Sequence, residues 1–180
     1  FERDGVLSES AIHSLDDIGR LSRAARDVAR SLSARLELAR DEAQIDPLTS
    51  ALNRRGFFDL VDAAAPGRAA LLYLDLDRFK ELNDSQGHLA GDRLLVQSVN
   101  AMGRVTRDGD IVARLGGDEF VVVLPEAEAD HAAEVARRIR EEVTRAAQAM
   151  GANVTASIGV TFRSPEETWP EAVDRADHAM

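Results

Sequence analysis

The chain has 180 residues, with 32 acidic side chains against 22 Lys and Arg, which gives a net charge of −10 with His neutral. A chain this acidic is unsuited to general binding of nucleic acid or of anionic membranes. It contains no Cys, which excludes a disulfide framework, a thiolate nucleophile and a Cys-based zinc site.

The first predicted element is a long helix over residues 8–44. Apolar residues recur along it at alternating spacings of four and three, from Ala11 through Leu15 and Leu32 to Ala43, as at the a and d positions of a coiled coil. The apolar face of such a helix needs a partner, most simply a second copy in a homodimer. The alternative is a helix lying on the surface of its own domain. Asp46 precedes a proline and so disfavours helix, which predicts a coiled-coil segment over 1–45 and a second domain over 46–180.

Strands and helices alternate after a polar junction over 46–55. The apolar run from Ala69 to Leu76 predicts a strand buried on both faces. The other predicted elements are helices over 55–65 (closed by Pro66 and Gly67), 79–83, 90–105, 129–150 and 170–180, strands over 110–115, 120–124 and 153–162, and turns at Gly87 with Gly91 and at Gly116-Gly117. The alternation indicates an α/β or α+β fold around one sheet.

Three carboxylates stand at the ends of predicted strands. Asp75 ends a buried strand, and Asp118 and Glu119 lie in the turn between two others. Such an acidic pair is also common as ordinary solvated turn chemistry. The preceding Gly116 and Gly117, however, let an anion approach the backbone closely. If the strand ends are neighbours, the three carboxylates form a hard-oxygen site suited to Mg²⁺, and two such ions can clamp a phosphoryl displacement.

A predicted helix opens directly after this first strand. Its free backbone N–H groups and the positive end of its dipole suit phosphates. Lys80, the only lysine of the chain, lies in this helix. Taken alone, this pattern is a weak indication of a phosphate site.

Seven short motifs follow one another between Asp46 and Met180. They are Asp46-Pro-Leu-Thr with Asn53-Arg-Arg, Asp75-Leu-Asp-Arg-Phe-Lys80, Asn83-Asp84, Gly87-His88 with Gly91-Asp92, Arg107-Asp-Gly-Asp110, Arg114-Leu-Gly-Gly-Asp-Glu-Phe120 and Ser157-Ile-Gly-Val160. In this order and spacing they make the region resemble the GGDEF domain of diguanylate cyclases. The resemblance implies a palm-like nucleotidyl cyclase fold, with a central, mostly antiparallel sheet flanked by helices. It also implies the condensation of two GTP into cyclic di-GMP with loss of two pyrophosphates.

The resemblance assigns roles to the matching residues. Asp118 and Glu119 would be the catalytic pair. The metal ligands would be Asp75, the Leu76 carbonyl, Asp118 and Glu119, with two Mg²⁺ ions, or Mn²⁺, in each active site. The substrate-binding residues would be Asn83 and Asp92 for guanine, Arg78, Phe79 and Lys80 for the phosphates, and Gly116 and Gly117 close to the nucleotide.

An inhibitory site is implied by the RxxD motif of the same family. Arg107 and Asp110 match it, and five residues separate Asp110 from Gly116. There an Arg fork and a carboxylate would bind the cyclic di-GMP product, with Arg138 as a secondary arginine. Away from the Gly-Gly-Asp-Glu-Phe motif, a four-residue match of this kind is common and carries no function.

The resemblance also implies a dimer, because each protomer holds one GTP and two must meet. The N-terminal helix would set that dimer and relay an upstream sensor domain. We expect the chain to be part of a longer protein in the cytoplasm, or of the cytoplasmic part of a membrane protein. The apolar seam of the N-terminal helix is rich in Ala, so we expect weak dimerisation. The chain departs from the family in ending at Met180, before a Lys and an Arg that hold phosphates and before the last strand, so we expect poor turnover. Arg78 also stands where an apolar residue is frequent.

Two alternative functions remain. The first is a non-catalytic module that binds GTP or cyclic di-GMP as a receptor; the presence of all the signature carboxylates and of both guanine-reading residues favours the enzyme. The second is another nucleotidyl cyclase or polymerase palm, against which the Asp46-Pro-Leu-Thr and RxxD motifs argue.

Overall fold

A computed structural model of the chain describes residue 26, residues 44–64 and residues 67–180. The residues from 44 onward group into one structural unit. The predicted coiled-coil helix over 8–44, and the homodimer seam placed on it, lie outside the described residues, apart from the helical Arg26 and from Gln44, which is not helical. The predicted helix stop at Pro66 lies outside them too.

Five strands form one sheet in the order β1-β3-β4-β2-β5. The central β2 (Ala69–Asp77) pairs antiparallel with β4 (Glu119–Pro125) on one side and with β5 (Thr155–Arg163) on the other. β3 (Ile111–Gly116) pairs antiparallel with β4, and the two-residue β1 (Leu52–Asn53) runs parallel to β3. The mostly antiparallel sheet that the family resemblance implies is confirmed.

Helices cover both faces of this sheet. They are α1 (Arg54–Ala64), α2 (Phe79–Gln86), α3 (His88–Val105), α4 (Ala129–Ala149) and α5 (Trp169–Asp177). Successive side chains of β2 point to opposite faces: Leu72 and Leu74 join a core cluster with α2, α3 and α4, and Leu71 and Tyr73 join one with α1 and α5. Burial on both faces accounts for the continuous apolar run. Among the helices of the described part, none is long and apolar enough to cross a membrane.

Gly91 corrects one predicted turn. Gly87, with φ 83°, makes the turn by itself, and α3 begins at the next residue, so Gly91 lies inside the helix. A Cβ on Gly91 would collide with the side-chain oxygen of Asn83. The glycine therefore serves the close packing of α2 on α3 and does not end an element.

The turn between β3 and β4 is also shifted from its predicted position. Gly116 is the last residue of β3, and the turn residues are Gly117, with φ 47°, and Asp118. The pairing register shifts between Arg114 and Gly116. Such a bulge bends a strand and re-aims the residues that follow.

α5 lies directly on β5 near the carboxylate end of the sheet. The helix begins with a capping box formed by Thr168 and Glu171, which supplies its first N–H groups with partners. Towards its end, the carbonyl oxygen of Ala176 stands where a Cβ on Gly159 would be. A glycine at position 159 is thus needed for α5 to reach this part of the sheet.

Candidate active site

Two of the predicted site carboxylates face each other across the β2–β4 ladder. Asp75 is the direct partner of Glu119 on β4, and its partner on β5 is Ser157. Directly paired residues of antiparallel strands place their side chains on the same face. Asp118 immediately precedes Glu119 in the turn, so the structure brings the three predicted carboxylates together at one end of the sheet.

The charges at this end of the sheet crowd one another. Burial and the neighbouring negative charges of Asp118, Glu119, Asp77 and Asp177 raise the pKa of Asp75 above its usual value. The side chains of Asp75, Asp118 and Glu119 are half-buried. The site therefore carries a local excess of negative charge.

The donor atoms fit a divalent cation. Carboxylate oxygens are the ligands that Mg²⁺ and Mn²⁺ prefer, and a cation would relieve the repulsion that raises the pKa of Asp75. Across the described part of the chain, no group of three or more His, Asp or Glu side chains is arranged to hold a metal ion. Oxygens from a bound nucleotide would therefore have to complete the coordination.

Asp77 is engaged differently from Asp75, although both lie on the same face of β2. Its carboxylate accepts a hydrogen bond from Thr155 Oγ1 at 2.5 Å and another from Ser157 Oγ at 2.7 Å. These bonds tie the end of β2 to β5. Asp77 is thus a structural link beside the site.

Arg114 holds the turn that carries Asp118. Its Nε and Nη2 donate to the carbonyl oxygen of Gly117 at 2.9 and 2.7 Å. Its Nη1 donates to both carboxylate oxygens of Asp46, at 3.1 and 3.2 Å. Both side chains are largely buried, with 14% and 17% exposed. The guanidinium thus joins the junction before β1 to the turn of the site.

Asp46 is in turn fixed by its own loop. Its Oδ1 accepts from the backbone N–H of Thr49 at 2.8 Å and from Thr49 Oγ1 at 2.6 Å. Burial alone would raise the pKa of Asp46, but the hydrogen bonds from Thr49 and Arg114 outweigh it and hold the pKa below its usual value. The sequence did not predict the contact between Asp46 and Arg114, because a separation of 68 positions hides it from any local pattern.

The predicted phosphate residues follow the site directly along the chain. Arg78 is the N-cap of α2, with φ 63°, and its side chain makes no capping bond. The first backbone N–H groups of α2 thus lie four to six residues after Asp75, without a side-chain cap. Lys80 is exposed on the first turn of the helix.

The two predicted guanine-reading residues lie on adjacent helices. Asn83 of α2 packs against Gly91 of α3. Asp92, the next residue of α3, is half-buried and lines an open cavity of about 650 Å³ with Leu48 and Leu89. The apolar side chains suit the faces of a base, and the carboxylate suits its N–H donors.

The RxxD residues form a closed turn between α3 and β3. Asp110 accepts from the backbone N–H of Arg107 at 2.9 Å and from its Nε at 3.4 Å. The Arg107 Nη2 donates to the Pro125 carbonyl at 3.1 Å. The Arg107 side chain is 59% exposed, whereas that of Asp110 is 2% exposed. The arginine is therefore the accessible member of the pair.

Arg138 lies on the side of α4 that faces the end of α3. It is exposed and stands one turn before Glu142, which pairs with Arg104 of α3 at 3.3 Å. Residues four apart share a helix face. Arg138 is thus on the same edge of the molecule as Arg104. Arg104 in turn precedes Arg107 by three residues in the sequence.

Comparison with known proteins identifies a family for the described unit. Residues 43–180 match the family model of the diguanylate cyclase GGDEF domain. The diguanylate cyclase DgcM of Escherichia coli (strain K12) is 35% identical over 144 residues, which are 77% of this chain and 35% of that protein. The chain thus spans about a third of the length of such curated relatives.

Solved structures agree with the sequence match. The coiled coil and GGDEF domain of DgcB from Caulobacter crescentus, in complex with c-di-GMP, aligns with a TM-score of 0.69 and 32% identity, covering 89% of this chain and 90% of that one. Diguanylate cyclase SiaD from Pseudomonas aeruginosa, in complex with its activator SiaC, aligns with a TM-score of 0.70 and 34% identity. It covers 93% of this chain and 67% of that one.

Proposed function

The chain belongs to the GGDEF family of diguanylate cyclases, and we propose that it condenses two GTP molecules into cyclic di-GMP and two pyrophosphates. The observation that carries the proposal is the pairing of Asp75 with Glu119 beside a turn that carries Asp118. In each of the two steps, a 3′-oxygen forms a bond to an α-phosphorus and the bond to the departing pyrophosphate breaks. The hydroxyl proton must leave as the new bond forms.

The carboxylates have two tasks in this proposal. Asp75, Asp118 and Glu119, with the Leu76 carbonyl, would hold two Mg²⁺ ions or Mn²⁺. When bound, such ions neutralise the phosphates and favour the ionised 3′-hydroxyl. Asp118 accepts the proton of that hydroxyl at its carboxylate. The hydrogen bonds from Arg114 to Gly117 support this role, because they fix the residue before Asp118.

The remaining residues orient the nucleotide. The backbone N–H groups of Arg78 and Phe79, with Lys80, bind the phosphates at the start of α2. Gly116 and Gly117 leave room beside the turn for the ribose and the phosphates. The other two contacts are to the base. The Asp92 carboxylate accepts hydrogen bonds from N1–H and the exocyclic amine of guanine, and the Asn83 side-chain amide bonds to the same base. Adenine is rejected because it carries no proton at N1.

Dimerisation and feedback complete the proposal. Two protomers face each other, each with one GTP, and the N-terminal helix over 1–45 holds them together and relays an upstream sensor. The product binds Arg107, Asp110 and Arg138 and inhibits synthesis. The exposed guanidinium of Arg107 and the position of Arg138 on the same edge support this site.

The test is the identity of the product. The chain, and a version extended beyond Met180, are incubated with GTP and Mg²⁺ or Mn²⁺, and the nucleotides are identified by mass spectrometry. We expect cyclic di-GMP from GTP and no cyclic product from ATP. Binding of GTP or cyclic di-GMP with no synthesis by either version would instead identify a receptor module.

A further inference from the structure

We propose that Tyr73 is a positioning residue whose hydroxyl donates a hydrogen bond to Glu119 and orients that carboxylate for the cation site. The sequence pattern predicts Tyr73 only as one apolar residue of a buried strand. Its consequence for synthesis rests on the proposed function. Its consequence for cation binding does not require turnover.

The strand register brings the tyrosine beside Glu119. Tyr73 lies two residues before Asp75 on β2, so both side chains are on one face of the sheet. Its direct partner on β4 is Val121, which makes Glu119 its diagonal neighbour. Diagonal neighbours in an antiparallel pair are within reach of aromatic and long side chains. An extended phenol and a glutamate therefore meet at this position.

The packing around the ring limits where the hydroxyl can point. On β5 the direct partner of Tyr73 is Gly159, and α5 fills the space that a side chain would take there. The tyrosine belongs to the core cluster with α1 and α5, and 6% of it is exposed. The apolar ring is thus enclosed on the sheet face that also carries Asp75 and Glu119.

The Tyr73 hydroxyl is the donor of this pair. It lies within reach of the Glu119 carboxylate, and a phenol with its ordinary pKa of about 10 is protonated at neutral pH. A protonated phenol donates, and a carboxylate only accepts. The bond therefore runs from Tyr73 to Glu119.

The hydrogen bond from Tyr73 would hold the Glu119 carboxylate in position for a cation. Asp75 repels Glu119 from directly across the ladder, and a glutamate side chain has several rotamers with which to move away. A donor on the same face holds one carboxylate oxygen and leaves the other for a cation. Losing a hydrogen bond to a charged group typically weakens binding about tenfold or more.

The first experiment removes only the hydroxyl. In Tyr73→Phe the ring still fills its place in the core, so we expect an unchanged thermal midpoint. Mn²⁺ affinity is measured by electron paramagnetic resonance in the presence of an unreactive GTP analogue. We expect it to fall about tenfold or more, with a matching rise in the Mg²⁺ concentration needed for half-maximal synthesis.

A double-mutant comparison shows whether the effect acts through Glu119. Tyr73→Phe should add little to the Mn²⁺ affinity already lost in Glu119→Gln, because coupled residues are not additive. Ser98→Ala is the matched control, since its buried hydroxyl has no hydrogen-bond partner among the described residues. It should leave Mn²⁺ affinity unchanged. Independent, additive losses from Tyr73→Phe and Glu119→Gln would overturn the proposal.

The protein that keeps Tyr73 offers a second readout, because Tyr73 is the only tyrosine of the chain. Tyrosine labelled with ¹³C at Cζ gives one nuclear magnetic resonance signal, which should shift with Mg²⁺ and the GTP analogue and respond to Glu119→Gln. A signal that changes neither with Mg²⁺ and the GTP analogue nor with Glu119→Gln would overturn the proposal, even if Tyr73→Phe failed to fold. Absence of cyclic di-GMP with these responses intact would contradict the proposed function alone.

Discussion

Asp75 lies directly opposite Glu119 in the β2–β4 ladder, with both side chains on the same face of the sheet. Like charges placed across a ladder destabilise a sheet. Burial and the negative charges around Asp75, that of Glu119 among them, raise the pKa of Asp75 above its usual value. The arrangement costs folding free energy at the position where the proposed reaction needs oxygen ligands.

The first prediction concerns the folding free energy that the repulsion between Asp75 and Glu119 costs. Asp75→Asn should raise the free energy of unfolding at pH 7 in the absence of metal and should abolish synthesis. Because folding raises the pKa of Asp75, the stability linked to its protonated form is present below about pH 3.9. It is lost as pH rises through the folded-state pKa. Thermal unfolding at pH 7 and at pH 4 should therefore show a gain for the variant that shrinks at the lower pH.

Asp77→Asn is the matched control for that experiment. Asp77 lies on the same strand and face but accepts hydrogen bonds from Thr155 and Ser157. Removing its charge weakens those bonds, so we expect no gain in thermal midpoint at pH 7. A destabilised Asp75→Asn at pH 7 would contradict the account of charge crowding.

The second prediction concerns the turn. Arg114→Ala removes the bonds to Gly117 and leaves the largely buried Asp46 without its cation. We expect a loss of about 1.5–3 kcal/mol in the free energy of unfolding and a lower kcat. The exposed Arg137, which pairs with Glu134 and Glu141, is the control. Arg137→Ala should leave both the free energy of unfolding and kcat nearly unchanged, because exposed ion pairs contribute little stability.

The same contact predicts a pH dependence. Folding lowers the pKa of Asp46, so the stability it contributes is present above about pH 3.9 and is lost as pH falls through the folded-state pKa. The gap in unfolding free energy between the unchanged protein and Arg114→Ala should therefore narrow below pH 4. Denaturant titrations at pH 7 and pH 3 would measure this difference in unfolding free energy. A difference that is the same at both pH values would show that the ionised Asp46 does not contribute the stability assigned to it.

The third prediction concerns guanine binding. Gly91→Ala would push its new methyl group into the side-chain oxygen of Asn83. We expect the affinity for an unreactive GTP analogue, measured by calorimetry, to fall by about 2- to 12-fold, the loss of one neutral hydrogen bond. Gly103→Ala in the same helix meets open space and should gain about 0.5–1 kcal/mol of stability with no change in affinity. Equal affinities of the two variants for the GTP analogue would show that Asn83 does not contact the base.

The fourth prediction concerns feedback. Arg107→Ala should keep synthesis and lose inhibition by cyclic di-GMP, because the arginine is exposed and lies in a turn between α3 and β3. Progress curves with added product would show this. Arg140→Ala, an exposed arginine of α4, should remain inhibited. Retained inhibition in Arg107→Ala would place the inhibitory site elsewhere.

The strands and helices from residue 54 onward were predictable because each carries a local pattern, whereas the two-residue β1 (Leu52–Asn53) lies in the stretch predicted as a polar junction. β2 is a continuous apolar run, and every predicted element over 55–180 is present, with ends displaced by at most three residues. Gly91 was misplaced in a turn because a glycine that allows close helix packing looks, in sequence, like one that ends a helix. Its reason is the Asn83 side chain, which lies on another helix.

The carboxylate site was predictable from motifs, but its supports were not. The contact between Asp46 and Arg114 spans 68 positions and depends on the pairing of β1 with β3. Tyr73 looks like core in sequence, because its place beside Glu119 follows from the β2–β4 register. Such features arise from tertiary geometry, which a local pattern does not contain.

The most direct test of the central claim is the rate of cyclic di-GMP formation from GTP and Mg²⁺ by the extended protein and by its Asp118→Asn variant. Mass spectrometry identifies the product, and Asp130→Asn, an exposed change at the start of α4, serves as the control. We predict synthesis by the unchanged protein and by Asp130→Asn, and none by Asp118→Asn with an unaltered fold. Equal rates in all three proteins would contradict the assignment of the β3–β4 turn as the reaction centre.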